Sequence, residues 1–383
     1  MVNFTHLTKI FCIVGARPNF MKVAPLMRAF AARQSIEARI VHTGQHYDEK
    51  LSKIFFDELG IPRPDVELEV GSGTLAVQTA EVMRRFEPVL IAEQPHAVLV
   101  VGDVNSTIAC SLVTARFHRN TSFRWVHGVR TRPVVIHVEA GLRSFDDDMP
   151  EEINRKLTDA ASDVLFVSEA SGMKNLAKEG VPADRCFFVG NVMIDTLMAA
   201  RERAMQSGVI ESLGLGGRPY GLLTLHRPSN VDDPAVLRAL LDTLDQIARD
   251  MPLVFPVHPR TRARLDQSGI KPDPARLILT EPLGYLDFLK LMAKAKLVLT
   301  DSGGVQEETT VLGVPCLTLR DNTERPATIT DGTNRLAGTQ RASILQAFAT
   351  LQQNAGPAKV PPLWDGRAAE RVAEVLVNLF VTP

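Results

Sequence analysis

Two segments of the chain could hold an anion, and each sets glycine between an apolar run and a helical pattern. In Thr300-Asp301-Ser302-Gly303-Gly304-Val305-Gln306-Glu307-Glu308, Ser302 is placed to cap the next helix, and the glycine pair lets backbone N–H groups approach a phosphate. The same pattern also describes a well-capped turn with no ligand. In Gly15-Ala16-Arg17-Pro18-Asn19-Phe20-Met21-Lys22, which follows Ile10-Phe11-Cys12-Ile13-Val14, Arg17 and Lys22 add cations where the helix dipole is already positive. A bound anion accounts for that arrangement; two solvated surface cations are the alternative.

Similar chemistry recurs wherever an apolar run ends. Thr43-Gly44-Gln45-His46-Tyr47-Asp48, Gly102-Asp103-Val104-Asn105-Ser106 and Glu139-Ala140-Gly141-Leu142-Arg143 follow runs in the first half, and His226-Arg227-Pro228-Ser229-Asn230 and His258-Pro259-Arg260 follow runs in the second. Carboxylates, imidazoles and guanidinium groups at so many run ends describe a site, because open parallel sheets bind ligands outside the carboxyl ends of their strands. Glu139 is the sharpest candidate, a carboxylate closing a buried apolar strand. Asp103 also reads as a helix N-cap, and Glu151 as a helix-dipole charge paired with Arg155 one turn on.

These residues must be carried by α/β elements. Strands are expected at Ile10–Val14, Arg39–Thr43, Ala97–Val101, Val134–Val138, Val164–Val167 and Cys186–Val189, then at Gly221–Leu225, Leu253–Val257, Leu277–Leu279, Leu297–Thr300 and Cys316–Leu319. Continuously apolar runs suit parallel strands covered on both faces, and the helical pattern of Ala235–Arg249 is typical of what lies between them. Two successive βαβ arrays imply two doubly wound sheets. At 383 residues the chain exceeds one ordinary core. Arg116–Arg132 interrupts the rhythm and reads as a surface insertion.

A net charge of −1 argues against a broadly basic nucleic-acid surface, so local cations serve local anions. Cys12, Cys110, Cys186 and Cys316 lack CxxC or metal spacing and read as core residues of a reduced, cytoplasmic protein. No run approaches the ~20 apolar residues of a membrane span. Asp146-Asp147-Asp148 reads as a solvated loop, and neither a metal nor a cofactor is expected.

The motifs GARPNFMK, TGQHYD, GDVNST, HVEAGLRS, MPEEINR, HRPSN, PVHPR, TDSGGVQEE and RDNTERP, in this order, resemble those of the non-hydrolysing UDP-N-acetylglucosamine 2-epimerases from about Ile10 to the last helix. The resemblance implies a GT-B fold with two Rossmann-like domains and the active site in the cleft between them. Domain boundaries would be 1–190 with the C-terminal segment 366–383, whose helix is Arg367–Leu379, and 191–365, crossing near Gly190-Asn191.

The implied reaction is inversion at C2 of UDP-N-acetylglucosamine, by elimination of UDP to 2-acetamidoglucal and re-addition. It carries Asp103, Glu139, Glu151 and His226 over as catalytic residues, and Arg17, Lys22, Phe288, Ser302, Gly303, Gly304, Glu308 and Arg325 as UDP-sugar contacts. Within that set Glu308 would accept from ribose hydroxyls and Arg325 would complete a positive rim. It also implies a homodimer. Some family members bind a second substrate molecule as activator through positions matching Gln45, Arg227 and His258; here Asp48 replaces a further polar position of that site. The chain departs from the common His-Arg-Arg-Glu-Asn at Pro228-Ser229, and its Ser144–Met149 loop is shorter and more acidic. A GT-B glycosyltransferase, a hydrolysing epimerase and a catalytically silent nucleotide-sugar binder are the alternatives.

Overall fold

Residues 7–44, 58–353 and 359–380 are described by the structure, a computed structural model. Gln45 and Asp48 lie outside them, as does the side chain of Arg17. The chain divides into two compact units, Met1–Thr196 with Pro362–Pro383, and Leu197–Pro361.

In the first unit the apolar runs form β1 (Thr8–Val14), β2 (Ile36–His42), β4 (Ala97–Val101), β7 (Val134–Ala140), β8 (Val164–Val167) and β9 (Cys186–Phe188), with a short β3 (Val66–Glu67) at one edge. All pair in parallel in the order β3-β2-β1-β4-β7-β8-β9. Every residue of β4 is buried, which is why the sequence shows a solid apolar run there rather than an alternation. Phe11, Ile13, Val98 and Val100 meet Phe86 and Leu90 of the helix Leu75–Glu93 to form the core on one face. The strand order reverses between β1 and β4, so loops after these two strands diverge and leave a crevice at their carboxyl ends.

The second unit repeats the scheme with β10 (Gly221–Thr224), β11 (Leu253–Pro256), β12 (Leu277–Thr280), β13 (Leu297–Thr300), β14 (Cys316–Thr318) and β15 (Asn334–Leu336). Its parallel order is β12-β11-β10-β13-β14-β15, reversing between β10 and β13. Leu223, Phe255 and Leu299 pack against Leu237, Leu241 and Leu244 of the helix Pro234–Ile247. Both units are thus Rossmann-like α/β sheets.

Three features differ from the sequence expectation. The edge strands β3 and β15 carry one apolar residue each, Val66 and Leu336, and so produce no apolar run. Arg116–Arg132 contains an antiparallel hairpin of β5 (Phe123–Trp125) and β6 (Gly128–Arg130), and it is docked rather than merely inserted. Val126 N–H donates to the Leu379 carbonyl at 2.9 Å, and the Phe123 ring stacks on Phe380 of the C-terminal helix Ala368–Phe380 at 6.1 Å. The passage to the second unit falls inside the helix Val192–Met205, later than Gly190-Asn191. Its first turn is tied to the first unit: Asp195 accepts from Ala368 N at 3.1 Å and Ala369 N at 2.7 Å, and Thr196 Oγ1 donates to the Met21 carbonyl at 2.5 Å. Among the described residues, no helix is long and apolar enough to cross a membrane.

Candidate active site

In the first unit the candidate carboxylates gather around the ends of β4 and β7. Glu139 occupies a bulge in β7: Val138 pairs with Phe166 and Ala140 with Val167, leaving Glu139 as the extra residue at φ 77°. Left-handed backbone at a glutamate costs on the order of 1 kcal/mol, and bulges re-aim side chains near functional sites. The carboxylate, only 4% exposed, is ion-paired with the Lys22 ammonium from the helix Arg17–Ala31. Gly102, the residue after β4, makes room for this pair, since a Cβ there would lie 2.9 Å from Lys22 Nζ and 3.3 Å from Glu139 Oε2. Asn19 fastens the same turn, accepting from Gly15 N and Ala16 N at 3.1 and 2.9 Å and donating to the Val101 carbonyl at 3.0 Å. Lys22, expected to serve an anion, therefore meets a protein carboxylate.

Asp103 does not cap the following helix, whose N-cap is Val104. It is ion-paired with Arg155 of the helix Pro150–Ala161, and its carbonyl accepts from Asn154 Nδ2 at 3.0 Å. The expected Glu151–Arg155 pair does not form. Glu151 is exposed in the first turn, while Arg155 is ion-paired with Glu152 as well as Asp103. Glu152 is wholly buried and accepts from Ser144 N at 2.9 Å, Ser144 Oγ at 3.0 Å and Phe145 N at 3.2 Å. Arg155 and Glu152 together join Asp103 to the loop between β7 and this helix.

In the second unit the residues at the β10 and β13 ends share one organiser, Asp301. Its fully buried carboxylate accepts from His226 N at 3.0 Å, Arg227 N at 2.9 Å and Asn230 Nδ2 at 3.2 Å, and pairs with His226 Nδ1 at 2.9 Å. Burial pushes this carboxyl upward, but the bonds and charge of His226 and the backbone N–H groups outweigh it and hold it below the usual range. Nδ1 being engaged, Nε2 is the nitrogen His226 can offer a ligand. The His258 ring lies 6.2 Å from it, and Arg227 Nε donates to the Asp301 carbonyl at 3.0 Å.

Ser302 is the N-cap of the helix Gly303–Leu312, but its side chain makes no capping bond, contrary to expectation. Gly303 also has a second reason to be glycine: a Cβ would lie 2.5 Å from Arg325 Nη1. Arg325 is not a free rim charge. It is buried, donates from Nε to Glu307 Oε1 at 2.7 Å and is ion-paired with Glu324. Burial raises the Glu324 carboxyl, yet Arg325, Arg320 and Arg227 together hold it far below its ordinary value. Glu308 is 3% exposed and accepts from Tyr285 Oη at 2.7 Å; burial pushes its carboxyl up to about 7. Phe288 is half-buried in the first turn of the helix Tyr285–Lys294.

The first unit thus brings Lys22, Glu139 and Asp103 together around Gly102, with Glu151 on the helix that holds Asp103. The second brings together His226 and Arg227, joined by Asp301, and sets Gly303 against Arg325. Asp159, Glu152, Asp301 and Glu324 were not assigned roles from sequence. Their one sequence signal is an acidic residue inside or beside an otherwise apolar or helical run, which does not say what it touches.

A sequence profile described as UDP-N-acetylglucosamine 2-epimerase matches residues 28–377. The UDP-N-acetylglucosamine 2-epimerase of Methanocaldococcus jannaschii is 39% identical over 377 residues, 96% of this chain and 98% of that protein. The UDP-2,3-diacetamido-2,3-dideoxy-D-glucuronate 2-epimerase of Pseudomonas aeruginosa is 39% identical over 375 residues, 97% of this chain and 100% of that one. The crystal structure of the M. jannaschii enzyme in complex with UDP-GlcNAc and UDP superposes with a TM-score of 0.87 at 38% identity, covering 97% of this chain and 99% of that one. This chain belongs to the UDP-N-acetylglucosamine 2-epimerase family.

Proposed function

We propose that the protein inverts C2 of UDP-N-acetylglucosamine to give UDP-N-acetylmannosamine, supplying sugars for polysaccharide synthesis. The C2 hydrogen is not flanked by a carbonyl, so its direct removal is too costly. Elimination avoids this: a base takes the C2 proton, the C1–O bond breaks with its electrons going to UDP, and 2-acetamidoglucal remains until UDP adds back with a proton delivered to the opposite face. Asp103, Glu139 and Glu151 are the proton-transferring candidates. Arg17 and Lys22 are further UDP-sugar contacts in the first unit, where ligand binding would exchange the Glu139 pairing of Lys22 for an anion. His226, with Nε2 presented by Asp301, neutralises the departing pyrophosphate. The turn Ser302, Gly303, Gly304 seats the phosphates, Arg325 supports that turn from beneath, Glu308 accepts from the ribose and Phe288 lies along the nucleotide. Glu139 is the observation that carries the reading: a strained bulge is maintained to aim one carboxylate at the carboxyl end of a buried strand.

The test is proton NMR with UDP-GlcNAc in heavy water. UDP-ManNAc carrying deuterium at C2 is expected; free ManNAc with UDP would indicate hydrolysis, and an inert substrate would remove UDP-GlcNAc. A second reading, epimerisation of another UDP-linked 2-acetamido sugar, is favoured by the equal 39% identity to the diacetamido-glucuronate enzyme. Running UDP-2,3-diacetamido-2,3-dideoxy-glucuronate in parallel separates the two. Gln45, Arg227 and His258 are proposed for binding an activating second substrate molecule, which would appear as sigmoidal kinetics. The four cysteines, free in the structure, support a cytoplasmic location, and the assembly proposed is a homodimer.

A further inference from the structure

The strained backbone at Glu139 needs something to hold it, and the Lys22 ion pair restrains only the side chain. One buried side chain spans both flanks of the bulge. Asp159, 1% exposed on the helix Pro150–Ala161, accepts from His137 Nδ1 through Oδ1 at 2.7 Å and from Gly141 N through Oδ2 at 3.0 Å. These partners lie two residues before and two residues after Glu139. Upstream, His137 Nε2 also bonds the Gly102 carbonyl at 2.8 Å, fixing the residue that borders both the Lys22–Glu139 pair and Asp103. Downstream, Gly141 is left-handed at φ 79°, and its carbonyl accepts from Asn175 Nδ2 at 2.9 Å. Arg143 Nη2 reaches Asp159 Oδ2 at 2.7 Å and neutralises it. Burial alone would raise the Asp159 carboxyl; the His137 bond and the charges of His137 and Arg143 bring it below its ordinary value.

We propose that Asp159 is a positioning residue for the Glu139 carboxylate, clamping the β7 bulge from both sides so that Glu139 keeps its aim. The proposal rests on the reading of Glu139 as a proton-transferring group. It separates the shape of the clamp from its charge. Asp159→Ala removes both bonds and lets the bulge relax toward regular strand. Asp159→Asn can keep both, because the amide oxygen accepts from Gly141 N while the amide nitrogen donates to Nδ1 of a His137 ring that retains its proton on Nε2.

The test uses the full-length chain with whichever of the two UDP-sugars the wild type epimerises. Asp159→Ala is expected to lose about 100-fold in kcat, the size of effect that an ångström of misplacement produces, with KM and UDP affinity little changed. Asp159→Asn is expected to restore most of kcat. Where Asp159→Ala does not fold, His137→Gln carries the test: glutamine can reach the Gly102 carbonyl but not Asp159, so only the upstream flank is released and kcat falls while UDP affinity holds. Wild-type kcat in Asp159→Ala, or in His137→Gln where that variant stands in, would overturn the proposal. So would a loss shared by kcat and UDP affinity, or an Asp159→Asn as impaired as Asp159→Ala. Glu139→Gln is measured alongside. If it turns over normally, the reading of Glu139 and the clamp fall together; if it is inactive beside a normal Asp159→Ala, the clamp alone falls.

Discussion

Gly303→Ala tests whether the turn after β13 is a built ligand seat. An ideal Cβ at this position would stand 2.5 Å from Arg325 Nη1, 2.8 Å from its Cζ and 3.0 Å from Glu324 Oε1. Carbon contacts of this kind settle near 3.5–4.0 Å, so the guanidinium must withdraw by about 1 Å. Arg325 has no slack for this, since it is buried and its Nε bond to Glu307 is 2.7 Å long. A 1 Å withdrawal takes that bond out of range, and a hydrogen bond to a charged group contributes about 1.5–3 kcal/mol. Taking about 2 kcal/mol, and about 2–4 °C per kcal/mol for a unit of this size, the melting temperature should fall by roughly 4–8 °C. Loss of one such bond at the seat would weaken UDP by about 10- to 100-fold. Calorimetric titration with UDP and a thermal scan read the two effects separately. Unchanged melting and unchanged affinity would refute the packing argument; a lower melting temperature with full UDP affinity would show that the turn is not where UDP sits.

Glu308→Gln should flatten the pH dependence of UDP affinity that the wild type shows near neutrality. Burial holds the Glu308 carboxyl at about 7, and its ionised form accepts from ribose hydroxyls more strongly than its neutral form, so wild-type affinity should rise relative to the variant as pH increases through 7; parallel curves would exclude a charge-assisted ribose contact. Asp195, raised by burial from 3.8 to about 6, destabilises the folded state when ionised. Because the folded pKa is the higher one, its favourable contribution is complete below 3.8 and lost as pH rises through 6, a span of about 3 kcal/mol at most. Asp195→Asn keeps a capping oxygen and should remove that slope from a plot of melting temperature against pH. Leu376→Ala, at a position 1% exposed on the C-terminal helix, should cost about 2–5 kcal/mol in urea unfolding, and a cost well below 1 kcal/mol would mean that the helix is not integral to the first unit.

The strand ends were legible because buried parallel strands write themselves as unbroken apolar runs and because ligand-facing chemistry collects where those runs stop. The strands read from the sequence lie within a few residues of their observed bounds, and β3 (Val66–Glu67) and β15 (Asn334–Leu336) escaped because each carries a single apolar residue. Contacts across the chain were not legible. Sequence spacing offered Glu151 as the partner of Arg155, whereas the folded helix turns Arg155 toward Asp103, 52 residues away. Ser302 has the residue type of a cap without the bond. The bulge at Glu139 has no signature, and Asp159 reaches its two flanks only once the following helix packs against β7.

Asp195 has a further consequence for how the polypeptide is made. It caps the C-terminal helix, and Trp364 Nε1 donates at 2.8 Å to the carbonyl of Ser168, 196 positions earlier. The first unit therefore cannot finish its core until the segment from Pro362 onward has left the ribosome, whereas the second unit is one continuous stretch and can close beforehand. During synthesis the half translated first matures last. For that interval the apolar faces awaiting Val372, Leu376 and Phe380 stay uncovered, which exposes the nascent first unit to aggregation until those residues emerge.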